Sequence, residues 1–397
     1  MSNSYVLVIN SGSSSLKFAV IDSNTGDAVL SGLGECFGLD DARMSWKCNG
    51  EKASCTIQGE NNHHQLAVEK LVELVKTYGL IDEVVAIGHR VVHGGEKFTK
   101  TVKLDEKIVQ EVEALSDLAP LHNKAHAIGM RAAMHAFPEL PQFAVFDTAF
   151  HQTMPPKAYT GGIAKSLYTE FGIRRYGFHG TSHYFVSREA AKMLNKPIEQ
   201  SSFISVHLGN GASVCAIKDG QSVDTSMGFT PLSGLMMGTR CGDLDPGIIE
   251  FLLKKGWTQE QVFNSLNKAS GFLGVSGLTS DARGILEAMD QGHEGATLAF
   301  QVFTYRVAKY IASYLAALDS LDGIIFTGGI GENALPIRRE ILRNLKILGF
   351  VEDEQGNEQA RFGNAGSIAR SEPLGAVALV VPTNEEFVIA QQSIELL

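Results

Sequence analysis

One short motif occurs twice in this chain: an apolar, β-branched strand, a turn of small residues, and a second apolar strand. Tyr5 to Ile9 runs through the Gly/Ser turn Asn10 to Ser15 into Leu16 to Asp22, and Phe203 to His207 runs through Leu208 to Ala212 into Ser213 to Lys218. Laid together, INSGSSSLKFAVID and VHLGNGASVCAIKD set Gly12 opposite Gly209. Self-similarity of this kind points to an internal duplication. The length, 397 residues, also exceeds what one hydrophobic core usually supports, so two domains are expected.

Between and after the hairpins, helical and strand patterns alternate, which argues for an α/β architecture. Gln65 to Tyr78, Lys107 to Leu118, Ile248 to Lys255, Thr258 to Asn267 and Glu294 to Leu318 have helical periodicity. Val84 to His89, Phe143 to Phe146, Gly323 to Thr327 and Ala376 to Val381 read as strands, and Glu385 to Leu397 as a closing helix. With no low-complexity linker, the domain boundary is a short hinge just after Phe150.

Charge excludes some partners. The net formal charge is −10 and no run of Lys and Arg interleaves with aromatics, so nucleic acid is not expected. No segment has the length of a membrane span, and Val6 to Ile9 is too short for a signal sequence. The five cysteines are odd in number and contain no CxxC pair, as for reduced thiols in a cytoplasmic protein.

Three small-residue turns are candidate phosphate cradles, because backbone N–H groups can surround an anion only where side chains leave room. They are Asn10 to Ser15, Leu208 to Ala212 and Gly328 to Asn333 (GGIGEN). The P-loop is absent, since the chain has no Gly-Lys dipeptide. Gly329, Gly331 and Ala334 also meet the loose dinucleotide fingerprint, with Glu352 or Asp353 as ribose ligand. That dehydrogenase reading leaves the other two turns without a purpose.

Charged and histidine residues cluster in GHRVVHGGE, APLHN, FDTAFH, YGFHGTSH, GTRCGDLDP and SDAR. These contribute Arg90, His93, Glu96, His122, Asp147, His151, His179, His183, Arg240, Asp243, Asp245, Asp281 and Arg283. Taken singly, each has a structural explanation as an ion pair, a cap or a turn. His122 with His126 and His179 with His183 have helical metal-ligand spacing but lack the HExxH glutamate, and Gly180 to Ser182 read as a turn entering a helix, so zinc is not expected.

Together with INSGSSSLKF, HLGNGAS, DTSMGFTPLSGLMMGTRCGDLDP, FTGGIGEN and PTNEE, these clusters resemble the acetate kinase family from end to end and in the same order. SDAR and HNKAH depart from the family pattern only at positions flanking the motif residues. The resemblance implies the fold of the acetate and sugar kinase, heat-shock protein and actin superfamily: two duplicated actin-like (ribonuclease H-like) α/β domains with the active site in the interdomain cleft. The first domain would comprise 1–150 plus 385–397. The second, 151–384, would bind nucleotide and supply the contacts of a homodimer.

The implied reaction is reversible, in-line transfer of the ATP γ-phosphoryl to acetate, giving acetyl phosphate and ADP. Acetate is already ionised near neutral pH, so the site must supply alignment and positive charge more than proton removal. The resemblance assigns Arg90 and Arg240 to the carboxylate and the transferring phosphoryl, and His179 to the equatorial oxygens. It gives Asp147 an acid/base role, whereas the chemistry favours its orienting Arg90 or a magnesium-bound water. Mg²⁺, for which Mn²⁺ may substitute, falls to Asn10 and Glu385, and Lys17 to the ATP phosphates. His207, Leu208, Gly209, Asn210 and Gly211, then Asp281, Ala282 and Arg283, then Gly329, Ile330, Gly331, Glu332 and Asn333 match the nucleotide site. Val92, Leu121, Phe178 and Pro231 match the acyl pocket, where the branched Val92 favours acetate over propionate. A propionate or butyrate kinase is the rival on the same scaffold. A non-enzymatic actin-like ATPase would need no carboxylate clamp.

Overall fold

A computed structural model describes residues 4–59, 63–119 and 122–397. The chain divides into two compact units, 1–150 with 384–397, and 151–383. Asn384 belongs with the first unit because its side chain accepts a hydrogen bond from Phe387 N (3.0 Å), capping the last helix, and donates to Gly26 O (3.1 Å).

The first unit is built on an eight-stranded sheet: β1 (Tyr5–Ser11), β2 (Leu16–Asp22), β3 (Ala28–Glu35), β4 (Arg43–Cys48), β5 (Glu51–Thr56), β6 (Val84–Val91), β7 (Val102–Lys103) and β8 (Gln142–Phe146). Their spatial order is β5-β4-β3-β2-β1-β6-β8-β7, with β1, β6 and β8 parallel. The second unit carries seven: β9 (Ser202–Leu208), β10 (Ala212–Lys218), β11 (Gln221–Thr225), β12 (Gly323–Thr327), β13 (Phe350–Glu352), β14 (Gly366–Ser371) and β15 (Ala376–Val380). Their order is β11-β10-β9-β12-β15-β14-β13, with β9, β12 and β15 parallel. The run β3-β2-β1-β6-β8 thus has the same order and strand sense as β11-β10-β9-β12-β15, the duplicated actin-like arrangement.

The two hairpins differ in one respect from the ungapped sequence match. Ser11 pairs with Leu16 across a four-residue loop, whereas Leu208 pairs with Ala212 across three residues. With Gly12 set on Gly209, Lys17 therefore corresponds to Ser213 and not to Val214, a shift of one residue that exchanges the faces of the second strand.

The period of two in β1 explains the layers above and below the first sheet. Tyr5, Leu7 and Ile9 join Ala67, Val68 and Leu71 of helix His63–Thr77 in one core, while Val6 and Val8 join Ile389 and Ala390 of helix Glu385–Ile394 in another. Without the C-terminal helix the second face of β1 would lie bare. Gly88, inside β6, permits its approach: a Cβ there would stand 2.5 Å from Ile389 Cγ2 and 2.8 Å from Ser393 Oγ. In the second unit, helix Gly180–Met193 packs on β9 and β12, and helix Glu294–Tyr314 on β9 and β10.

Gly88→Ala is expected to lower stability by about 1–3 kcal/mol through overpacking. Ile389→Ala, which removes the nearest atom, should be less damaging in the Gly88→Ala background than alone, with a coupling of about 1 kcal/mol in a denaturation cycle. Strict additivity would show that the helix does not depend on that gap.

Candidate functional site

In each unit the informative side chains gather at the carboxyl ends of the parallel strands, the edge where open α/β sheets bind ligands. In the first unit, Arg90 is the penultimate residue of β6 and Asp147 follows β8. Pairing of Arg90 with Val145 and of Val91 with Phe146 brings them side by side. The contact is bidentate: Arg90 Nε donates to Asp147 Oδ1 (3.0 Å) and Nη2 to Oδ2 (2.7 Å). Asp147 N also donates to Val91 O (2.9 Å), and the Asp147 side chain is only 2% exposed. The Asp147 carboxylate holds the Arg90 guanidinium above its ordinary value against burial. Burial pushes the Asp147 carboxyl up while Arg90 opposes it, and the Glu385 carboxylate adds to the upward push.

Asn10 lies near the end of β1 and Glu385 opens the C-terminal helix. Lys17 is opposite Asn10 on β2, and its amine donates to Glu386 Oε1 at 2.5 Å. Val92 is buried, and its N–H donates to His126 Nε2 (3.3 Å). Asn123, at the start of helix Asn123–Ala136, donates through Nδ2 to His93 O (2.9 Å) and fixes the turn beyond β6. Leu121 lies outside the described residues.

In the second unit, His179 precedes helix Gly180–Met193 with φ +57°, a left-handed conformation that costs a residue with a Cβ about 1 kcal/mol or more. Gly180 to Ser182 are therefore the first turn of the helix, not a turn ahead of it. Two contacts hold His179 there: Nδ1 lies 2.9 Å from Ser213 Oγ, and the ring stacks on His207 with centroids 4.2 Å apart. Its Nε2 faces the turn of the second hairpin. A Cβ placed on Gly211 would stand 3.6 Å from His179 Nε2 and 3.3 Å from Arg240 Nη1, so the missing side chain leaves an open approach between backbone, imidazole and guanidinium.

Arg240 differs from Arg90. Among the described residues no carboxylate forms an ion pair with it; Nη1 donates only to Pro231 O (3.3 Å) and toward Met237 Sδ (3.7 Å). Burial lowers its pKa from the ordinary value, the mark of a desolvated cation that an anion would stabilise.

The remaining expected nucleotide residues are distributed around the same sheet. His207 is the penultimate residue of the wholly buried β9 and hydrogen-bonds Ser182 Oγ through Nδ1 (2.8 Å), and Leu208 is buried beside it. Gly209 N donates to Gly211 O (2.9 Å), closing the turn, and Asn210 O accepts from Gly238 N (3.1 Å). Asp281 caps helix Ala282–Asp290 by accepting from Gly284 N (3.2 Å), with Ala282 buried and Arg283 exposed. GGIGEN is a short helix, Gly328–Asn333, entered directly from β12, where the sequence suggested a turn before a helix. Glycine at 328 makes this possible, because its φ is +76°. Glu332 turns its carboxylate inward to Gly328 N (2.9 Å) and Thr383 N (3.1 Å), Asn333 bonds Gly329 O (3.0 Å), and Gly329 faces open space. Ile330 is half-buried and Gly331 buried in the same turn.

Phe178 is buried, and its carbonyl accepts from His151 Nε2 (2.9 Å). The partners Ser213, Ser182 and Asn123 lie inside the quoted motifs and His126 in the His122–His126 pair, but none of them was assigned a supporting role from the sequence. No group of three or more His, Cys, Asp or Glu among the described residues forms a metal cluster, and no described helix is long and apolar enough to cross a membrane.

Two duplicated actin-like units, each with charged or imidazole groups at the same strand edge, define the architectural class. The chain belongs to the acetokinase family, whose model matches residues 5–391. It is 81% identical over its full 397 residues, and the full length of the relative, to acetate kinase 2 of Vibrio vulnificus (strain YJ016). The acetate kinase 2 of Aliivibrio fischeri matches equally, at 81% over the whole of both chains. Among solved structures it is similar to a propionate kinase from Francisella tularensis (TM-score 0.93, 42% identity, covering 99% of this chain and 100% of that one) and to Porphyromonas gingivalis acetate kinase (0.93, 41%, 99% of each).

Burial holds His89, His93 and His151 down at about 4 and His126 at about 3. Unfolding releases them to about 6.5, so the unfolded chain binds more protons and stability must fall as pH drops below about 6.5. At pH 5.5 each such histidine costs about 1.4 kcal/mol. Asp147 and Asp224, raised by burial, act in the opposite sense. A net loss of at least ~2 kcal/mol between pH 7.5 and 5.5 is expected in urea denaturation; an unchanged midpoint would contradict neutral burial.

Proposed function

We propose that this chain is an acetate kinase, transferring the ATP γ-phosphoryl reversibly to acetate to give acetyl phosphate and ADP. The observation that carries the reading is Arg240: a half-buried guanidinium without a carboxylate partner among the described residues, facing Gly211 and His179. A desolvated cation beside backbone and imidazole donors is suited to the spread negative charge of a phosphoryl in flight. The 81% full-length identity to acetate kinases supports the same conclusion.

In this reading Arg90 and Arg240 act on the carboxylate and phosphoryl oxygens, and His179 donates to the phosphoryl. An ionised acetate oxygen is already the nucleophile, so no proton need be removed. Asp147 is then a positioning residue: its two oxygens accept from Nε and Nη2 along one edge of the Arg90 guanidinium, which leaves it poorly placed to exchange protons. The family resemblance assigns Val92, Leu121, Phe178 and Pro231 to the methyl group, and Lys17, 207–211, 281–283 and 329–333 to the nucleotide. Asn10 and Glu385 offer oxygen donors, the type a hard cation prefers, and the Glu385 carboxylate bears on Arg90 and Asp147, so Mg²⁺ or Mn²⁺ fits there with water completing its shell. When bound, the ion neutralises phosphate charge.

We further assign a homodimer through the second unit. Helix Gly247–Lys254 (GIIEFLLK) has no buried residue, and Ile248, Phe251, Leu253 and nearby Phe263 are exposed, an apolar surface that a second copy would cover. Five thiols with no disulfide accord with a cytoplasmic site.

Purified protein with ATP, Mg²⁺ and hydroxylamine should trap acyl hydroxamate most strongly with acetate, less with propionate and least with butyrate. Val92→Ala should narrow the acetate preference by roughly 10- to 100-fold, since one methylene is worth ~1–3 kcal/mol. No hydroxamate from any acid, with ATP still bound, would replace the kinase by a non-enzymatic ATPase. Asp147→Asn should lower kcat at least about 100-fold while preserving the shape of the pH profile. Loss of one pH limb with normal Mg²⁺ dependence would instead make Asp147 a proton-transfer group.

A further inference from the structure

Behind His179 lies a line of buried hydrogen bonds that the reaction does not obviously require. Ser213 Oγ is 2.9 Å from His179 Nδ1 and 2.8 Å from His183 Nε2, and His183 Nδ1 is 2.8 Å from Ser205 Oγ. Ser205, Ser213 and His183 are all fully buried. The arrangement follows from the sheet: Ser213 pairs with His207 across the second hairpin, Ser205 lies two residues back on β9, and all look toward helix Gly180–Met193, whose first turn carries His183.

The hydrogens on this line have two possible senses, and its far end decides between them. Among the described residues Ser205 Oγ has one partner only, His183 Nδ1. If that nitrogen carried the proton, the Ser205 hydroxyl hydrogen would be buried without an acceptor, which is costlier than an unused lone pair. Ser205 therefore donates. His183 is surrounded by the rings of His151, His179 and His207 at 5.8, 6.5 and 6.3 Å, and burial holds it well below its ordinary pKa, so it is neutral with one ring proton. With Nδ1 accepting, that proton is on Nε2 and goes to Ser213 Oγ. Ser213 must then donate to His179 Nδ1, which leaves the His179 proton on Nε2, the nitrogen facing Gly211 and Arg240.

We propose that Ser205, His183 and Ser213 are positioning residues that wire His179 into its Nε2–H tautomer, with Ser205 setting the sense. The consequence for catalysis rests on the acetate kinase reading. An uncharged His179 already presents a donor to the phosphoryl and has no need to acquire a second proton, and the opposite tautomer would present a lone pair to an anion.

The test is the two-bond proton–nitrogen correlation spectrum of the full-length protein labelled with ¹⁵N-histidine, at a pH of about 8 where free imidazole is neutral. His179 is assigned by the loss of its signals in His179→Gln. The expected pattern is a protonated Nε2 and a bare Nδ1. In Ser205→Ala the two shifts should move toward a tautomer mixture, and kcat should fall about 10-fold with KM values within about 2-fold; Ser205→Thr, which keeps a hydroxyl, should restore both. A wild-type Nδ1–H tautomer, or a Ser205→Ala spectrum unchanged at His179, overturns the proposal. Should Ser205→Ala fail to fold, the wild-type spectrum alone decides. The two readings fail separately: hydroxamate formed with an Nδ1–H tautomer removes only the relay, and an Nε2–H tautomer without hydroxamate removes only the kinase.

Discussion

Parallel strand pairing is the constraint on which everything else in this molecule depends. Because β1, β6 and β8 run the same way, their carboxyl ends share one edge, and Asn10, Arg90 and Asp147 emerge there although they are scattered over almost 140 positions of sequence. The same pairing of β9, β12 and β15 collects the 208–212 turn, Thr327 and the start of GGIGEN. Duplication of the sheet therefore duplicates the edge, and the two edges carry different chemistry. The first bears an arginine locked to a carboxylate, the second an arginine without one among the described residues.

That difference has a physical meaning. Arg90 is held in a single orientation by a bidentate partner, so its guanidinium is pre-ordered. Among the described residues Arg240 has carbonyl and thioether contacts and no carboxylate partner, so its desolvated charge is under-compensated. Preorganised geometry on one side and available charge on the other are the two requirements for moving a phosphoryl group between anions. His179 lies beside Arg240 at the Gly211 turn, stacked on His207 and with Nδ1 2.9 Å from Ser213 Oγ.

Much of this was legible from residues alone. The unbroken apolar, β-branched run of β1 marked a strand, and the hairpin repeat announced two similar sheets. Arg90, Asp147, His179 and Arg240 each had a structural explanation singly, and it was the ordered resemblance to a family that singled them out. Ser213 and Ser205 were invisible, since a serine inside an apolar strand reads equally well as a small filler. The one-residue offset between the hairpins was invisible too, because loop length is decided by how the turn closes and not by the flanking pattern.

The sequence by itself determined the α/β class and the family, because periodicity, small-residue turns and ordered motifs are local properties of the chain. Only the tertiary structure decided that the helix after Asn384 covers the second face of β1, that Asp147 grips Arg90 by both oxygens, and that Glu332 spends its carboxylate on backbone N–H groups. Only it could orient the hydrogens from Ser205 to His179, since that sense depends on how many partners a buried hydroxyl finds in three dimensions.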